Sequence, residues 1–142
     1  MSQITRDMTH ITRCSMQFRS EQFAPMGFKA CHAAYLPQIC RNPGISQDQL
    51  ARAICINKSN AARQAAVLEE EGYITRVPDP ADKRVMRLYP TDKAMNLLPK
   101  IYEIFTAWSD LVTQDLTEEE RAQLGYLLEK VKVRATQWME EH

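Results

Sequence analysis

The sequence predicts a mainly α-helical domain with one small β-ribbon, and three observations predict it. Apolar residues recur at steps of three and four over most of the chain, the period of a helix with one buried face. Between residues 73 and 90 the period drops to two, in "YITRV" and roughly again in "RVMRLY", with the turn-forming "PDPADK" between them. Ser, Thr or Asn stands where several of the helical patterns begin, and Gly or Pro where several end. At 142 residues, 44% hydrophobic and 25% charged, the chain supports one core and is too short for two ordinary domains. Residues 1–142 therefore read as a single domain.

Residues 2–22 form the first expected helix, with Ile4, Met8, Ile11, Ser15 and Phe18 on one face and Arg6, Arg13 and Arg19 elsewhere. Pro25 and Gly27 end it. Phe28 to Cys40 reads as a second helix with a kink at Pro37. Asn42-Pro43-Gly44 is a stop signal. Ser46 opens a short helix, and Gln49 three residues later completes a capping box. Leu50, Ala51 and Ile54 supply its buried side. After the break Cys55-Ile56-Asn57, with Asn57 as N-cap, a further helix runs to Glu71 and closes at Gly72.

Two short helices across a tight break have the pattern of a helix-turn-helix. Ala61, Ala65 and Leu68 fall within about 60° of one another at 100° per residue, and so face the core. Ser59, Arg63, Ala66 and Glu70 point the opposite way, with Asn60 and Ala62 on the flanks. The outward N-terminal half is small, polar and basic, as a helix must be to enter the major groove. The ribbon follows directly. Thr91 then caps a helix over 92–114, with Leu97, Leu98, Ile101, Ile104, Phe105, Trp108, Leu111 and Val112 as its apolar positions and an early kink expected at Pro99. Thr117 and Glu120 form another capping box, opening a last helix with Leu124, Leu127, Leu128, Val131 and Trp138 on one stripe. A small central domain cannot cover these terminal stripes alone. A second copy of the chain would bury Ile4, Met8, Ile11, Phe18, Leu124, Leu127, Leu128 and Val131.

The net charge of zero hides a gradient. Residues 50–93 carry eight basic and six acidic side chains, three of the acids being the run Glu69-Glu70-Glu71, whereas residues 115–142 carry four basic and seven acidic. A mild local excess permits nucleic-acid binding without establishing it.

The stretch "INKSNAARQAAVLEEEGYITR" followed by "DPADKRVMRLYPTDKA" resembles the winged helix-turn-helix of the MarR (multiple antibiotic resistance regulator) family. The matching parts are Asn57-Lys58-Ser59, Arg63, Leu68-Glu69-x-x-Gly72, Arg76 and Asp82-Lys83-Arg84, within residues 45–94. Pro90 stands where the family usually has Leu, and Ala94 where Gly is common. The resemblance implies a winged helix-turn-helix over 28–92, flanked by dimerisation helices over 1–24 and 93–142. It further implies a homodimer that binds a pseudo-palindromic double-stranded DNA operator as a repressor, released by a small aromatic effector or by thiol oxidation. The expected recognition-helix contacts are Lys58, Ser59, Asn60, Ala62, Arg63 and Ala66. On the wing, Arg84 would enter the minor groove, where negative potential favours arginine, and Asp82 would brace it. Arg76, Lys83 and Arg87 would reach phosphates or support the ribbon. No residue is assigned to an effector.

Two other classes fit less well. An enzyme would need a glycine-rich phosphate loop, a nucleophile elbow or a paired-histidine metal motif, and none occurs in a chain with four glycines and scattered His10, His32 and His142. His10 and Cys14 share a helix face but make only two ligands, so no metal and no cofactor is expected. A winged-helix module that binds proteins instead of DNA would show aromatic or aliphatic anchors on the outward face. That face offers Ser59, Asn60, Ala62, Arg63 and Ala66.

No apolar run approaches the roughly 20 residues of a membrane span, and "MSQITRDMTH" lacks the apolar core of a signal peptide. The expectation is a cytoplasmic protein with Cys14, Cys31, Cys40 and Cys55 as reduced thiols. Cys31 and Cys40 lie too far apart in sequence for a local metal clip. Cys14 has Arg13 and His10 beside it, neighbours able to lower a thiol pKa. Position alone does not carry a redox role to Cys14, and buried or incidental thiols are the favoured reading.

Overall fold

The computed structural model describes residues 2–142. Helix α1, Gln3–Phe23, starts at Ser2, whose hydroxyl accepts the Thr5 N–H at 3.1 Å. A 3-10 turn over Ala24–Met26 closes on Gly27 in the left-handed region. The expected continuous helix over Phe28–Cys40 is instead two pieces: a 3-10 helix, Ala30–Ala34, and helix α2, Tyr35–Arg41. Pro37 explains the division. It is the third residue of α2, where an amide has no helical acceptor in any case. An α-helix extended further back would drive the proline ring into the Ala33 carbonyl. The proline sets the start of the helix and does not kink it.

Strand β1, Ile45–Ser46, leads through the Ser46–Gln49 capping box into α3, Gln47–Ala53. Helix α4, Lys58–Glu70, is capped by Asn57, whose carboxamide oxygen accepts the Asn60 N–H at 2.7 Å. Strands β2, Ile74–Pro78, and β3, Met86–Pro90, form the ribbon. Here the sheet corrects the sequence reading. It has three strands in the order β1-β3-β2, because Ile45 and Ser46 pair antiparallel with Leu88 and Arg87. A two-residue strand is too short to show a period of its own. Helix α5, Asp92–Val112, runs without interruption through Pro99, and α6, Glu118–Glu141, begins at the Thr117–Glu120 capping box.

The core lies where these elements meet. Leu36, Ile39, Leu50, Leu68, Ile74, Leu88 and Ile101 are fully buried, drawn from α2, α3, α4, β2, β3 and α5. Each such side chain contributes about 1.5–3 kcal/mol relative to exposure. The aligned trio Ala61, Ala65 and Leu68 seats α4 on this core at zero exposure, so the opposite face looks outward. Thr91 ties the end of β3 to the link between α4 and β2: its hydroxyl donates to the carbonyls of Gly72 at 2.7 Å and Tyr73 at 3.0 Å.

The terminal helices contribute little to this core. No residue of α6 is buried, and α1 buries only Ser15 and Phe23. Ile4, Met8, Ile11, Leu124, Leu127, Leu128 and Val131 are all exposed. Phe18 departs from that group. It is half-buried, packs against the core of its own chain and sits 5.2 Å from the Trp108 ring.

Candidate nucleic-acid interface

The candidate interface draws on two elements, the N-terminal half of α4 and the turn between β2 and β3, with β2 held to the C-terminal end of α4 through Arg76 and Glu69. The break before α4 is a tight closure. Ile56 N–H donates to the Ala51 carbonyl at 3.0 Å and Cys55 N–H to Arg52 at 3.4 Å, with Cys55 itself in the left-handed region at φ 57. This is the Schellman pattern, which ends α3 in one residue and turns the chain into α4. The outward side of α4 presents Lys58, Ser59 and Arg63 as exposed residues, with Asn60, Ala62 and Ala66 half-buried beside them. Lys58 is paired with Asp48 at 3.4 Å, yet its side chain remains 74% exposed. Its ammonium is free to swing to a phosphate, because exposed ion pairs are worth only about 0–1 kcal/mol.

The turn is organised by two carboxylates with separate tasks. Asp79 Oδ1 accepts the N–H groups of Ala81 at 2.8 Å and Asp82 at 3.3 Å. Its Oδ2 accepts Arg87 Nε at 2.8 Å, and Arg87 Nη1 reaches the Gly44 carbonyl at 3.3 Å. Asp79 thus folds the turn and fastens it, through Arg87, to the chain just before β1. Asp82 holds Arg84 through Nε at 3.1 Å and Nη2 at 3.2 Å, and also accepts the Arg84 backbone N–H at 3.1 Å. Hydrogen bonding to Arg87, then to the turn amides, holds the Asp79 carboxyl below the usual aspartate range, and hydrogen bonding to Arg84 does the same for Asp82.

The four basic side chains expected on the wing therefore differ. Arg84 and Lys83 are exposed at the tip. Arg87 is half-buried and occupied by Asp79. Arg76 is likewise held: Nε and Nη2 lie 3.3 and 3.2 Å from Glu69 Oε1, and Nη1 lies 3.3 Å from Gln47 Oε1. It clamps β2 to the C-terminal end of α4 and the start of α3. For Arg76 and Arg87 the geometry favours support of the ribbon over reach to phosphates.

Sequence reasoning missed four contributors. Glu69 and Gln47 meet only through Arg76, and His32 meets Gln64 of α4 across 32 positions of sequence at 2.7 Å. No local spacing marks such pairs. The thiols Cys14, Cys31 and Cys55 are exposed, Cys40 is buried, and all four are free. Burial pushes the Cys40 thiol pKa up. Among the described residues no group of three or more His, Cys, Asp or Glu side chains is placed to hold a metal ion, and no helix is long and apolar enough to cross a membrane.

A recognition helix behind a short Schellman turn, followed by the β2–β3 hairpin with an arginine at its tip and a third strand, β1, paired to it, defines a winged helix-turn-helix protein. Residues 32–86 match the model of the MarR family. The chain is 29% identical over 132 residues to YybA of Bacillus subtilis (strain 168), an uncharacterized HTH-type transcriptional regulator, covering 93% of this chain and 88% of that one. Its fold superposes on that of the transcriptional regulator SlyA with a TM-score of 0.91 at 29% identity, covering 98% of both chains. A Listeria monocytogenes transcriptional regulator described as MarR family, solved in complex with a 26mer DNA, gives a TM-score of 0.89 at 28% identity over 98% of this chain and 93% of that one. The chain belongs to the MarR family of transcriptional regulators.

Proposed function

We propose that this protein is a homodimeric, sequence-specific repressor that binds a pseudo-palindromic DNA operator through residues 28–92 and dimerises through its terminal helices. One observation carries the reading: Arg84 stands at the tip of the wing 91% exposed, gripped along one edge by both carboxylate oxygens of Asp82, in a domain whose outward α4 face has no bulky apolar group. A braced, uncovered guanidinium suits a narrow minor groove while the small outward face of α4 lies in the adjacent major groove. Lys58 and Lys83 supply phosphate contacts. Arg63, exposed and without a hydrogen-bond or ion-pair partner among the described residues, makes a bidentate contact to guanine.

A repressor of this kind acts by occupying its site. Release by a small aromatic effector, or by thiol oxidation, completes the reading and is supported by family membership. Such an effector must bind the free conformation better than the DNA-bound one.

Selection of bound sequences from a random DNA pool tests the proposal. The expected result is a pair of inverted half-sites about one helical turn, or a multiple of it, apart. Arg63→Ala should then flatten the preference at one base pair of each half-site, a loss of about 1–3 kcal/mol of discrimination. An unenriched pool would overturn the DNA reading and leave a protein-binding module.

A further inference from the structure

His32 is fully buried in the 3-10 helix before α2. Its ring meets those of Phe28 and Tyr35 edge-on, at centroid distances of 6.2 and 5.8 Å. The ring Nε2 lies 2.7 Å from Oε1 of Gln64, while Nδ1 has no hydrogen-bond partner among the described residues. Gln64 continues the line outward: its Nε2 lies 3.5 Å from Asn60 Oδ1, one turn nearer the start of α4. Three side chains thus lead from the core to the flank of the recognition face.

We propose that His32 is a positioning residue for DNA specificity: through Gln64 it fixes which edge of the Asn60 carboxamide faces the base pairs. The inference rests on the DNA-binding reading above. A neutral imidazole carries one ring proton. Placed on Nδ1, it would be a buried N–H with no acceptor, an arrangement folded proteins nearly always avoid. Placed on Nε2, it donates to Gln64 Oε1. The Gln64 amide is then turned with its NH2 toward Asn60, whose Oδ1 accepts. Asn60 is left presenting Nδ2, a donor, to the groove. Its complement is an acceptor on the major-groove edge: N7 or O6 of guanine, N7 of adenine, or O4 of thymine. The cytosine amino group is excluded. Without the imidazole, Gln64 and Asn60 can flip together, and the face loses its fixed polarity.

The test uses the full-length protein and three substitutions at one buried position. His32→Phe keeps a flat aromatic ring, somewhat larger than imidazole, and removes both nitrogens. His32→Gln places an amide donor near the reach of Nε2, whereas His32→Asn reaches only as far as Nδ1. Asn60→Ala first maps the base pair concerned. Competition titrations against operators altered at that base pair then give the selectivity, and binding to unrelated duplex gives the background. His32→Phe should bind unrelated duplex as the wild type does and lose about threefold to tenfold in selectivity at that base pair, the value of one neutral hydrogen bond. His32→Gln should recover most of the loss and His32→Asn should not. The long-range nitrogen–proton spectrum of the wild-type imidazole should show the Nε2–H tautomer.

Full selectivity in folded His32→Phe, or an Nδ1–H tautomer, overturns the inference. If His32→Phe does not fold, the contrast between Gln and Asn at position 32 decides: equal selectivity in the two overturns it. A wild type that selects no sequence removes the DNA reading and this inference together. A selective wild type with an equally selective His32→Phe removes only the role of His32.

Discussion

Asp82 grips Arg84 side-on: Oδ1 lies 3.1 Å from Nε and Oδ2 lies 3.2 Å from Nη2, while the arginine side chain remains 91% exposed. The contact adds little to stability, because an exposed pair gains little over water. What it does is narrow the directions in which the guanidinium can point. An arginine held in its binding geometry loses less side-chain freedom on entering a groove.

Two substitutions separate bracing from charge. Arg84→Ala should weaken operator binding across sequences and make its salt dependence shallower, by up to about 0.9 in the log–log slope per subunit. Asp82→Ala removes an acid near DNA, so charge alone predicts tighter binding. Bracing predicts weaker binding at every salt concentration. Titrations at two salt concentrations decide, and tighter binding of Asp82→Ala at both would falsify the bracing role. The same contact sets a pH response. The folded pKa of Asp82 is depressed by its hydrogen bonds to Arg84, so the brace is present above the ordinary aspartate value of about 3.9 and is lost only as pH falls through the lower folded value. The Arg84 Nε–H resonance should therefore stay unchanged from neutral pH to about 4 and move only below it. Movement between pH 5 and 7 would contradict the assignment.

Arg76 gives the opposite expectation, although it too is a basic residue of the ribbon. Its side chain is 24% exposed and committed to Glu69 and Gln47. Arg76→Ala should lower stability by about 1 kcal/mol, the value of a charged hydrogen-bond cluster discounted for partial solvent screening. The salt slope of DNA binding should not change. Thermal melting and salt titration of the one variant are sufficient, and a shallower slope at unchanged stability would return Arg76 to the phosphate contacts.

These cases show what was legible in the sequence and what was not. Ala61, Ala65 and Leu68 announced the buried face of α4 because helical period alone places them together. Ser46, Asn57, Thr91 and Thr117 announced helix starts because capping is local chemistry. The family pattern supplied the Asp82–Arg84 pair, two residues apart. Partners distant in sequence were illegible. Arg87 pairs with Asp79 and reaches Gly44, 43 positions away, so its charge alone made it resemble a DNA contact. Pro37 read as a kink because a Pro within an apolar run is ambiguous until the start of the helix is known. Phe18 read as part of the free stripe because periodicity does not reveal that Trp108 stands over it.

The uncovered stripes give the third prediction. Leu127 and Leu128 are 49% and 50% exposed, and Ile4 and Ile11 are 71% and 53% exposed. A homodimer that buries them should form an interface above about 2,000 Å², the size typical of obligate pairs. Leu128→Asp should shift sedimentation toward monomer or unfolded chain, because a charge would be buried without a partner. A surface control such as Glu119→Lys should not. A wild type that sediments as a folded monomer at micromolar concentration would remove the dimer from the proposal.

The last prediction concerns the turn that sets the angle of α4. Two Schellman closures flank this helix. After it, Gly72 takes the left-handed position at φ 83, with Tyr73 N–H donating to Leu68 at 2.9 Å. Before it, Cys55 occupies the equivalent position at φ 57, with Ile56 N–H donating to Ala51 at 3.0 Å. A side chain with a Cβ is strained there by roughly 1 kcal/mol or more. The thiol recovers little of this, since Sγ stands 3.9 Å from the Arg52 carbonyl. Cys55→Gly removes the strain and adds back part of it as unfolded-chain entropy, leaving a net gain of about 0.5 kcal/mol. The melting temperature should rise by about 1–2 °C in a domain of this size. Gly72→Ala should lower it, although an added Cβ would meet nothing nearer than Lys93 Cδ at 4.0 Å, because the backbone conformation and not the space is limiting. Opposite signs at the two closures are the diagnostic result. If Cys55→Gly lowers the melting temperature, Cys55 makes a stabilising contact that its left-handed backbone does not reveal, and the strain account of this turn is wrong.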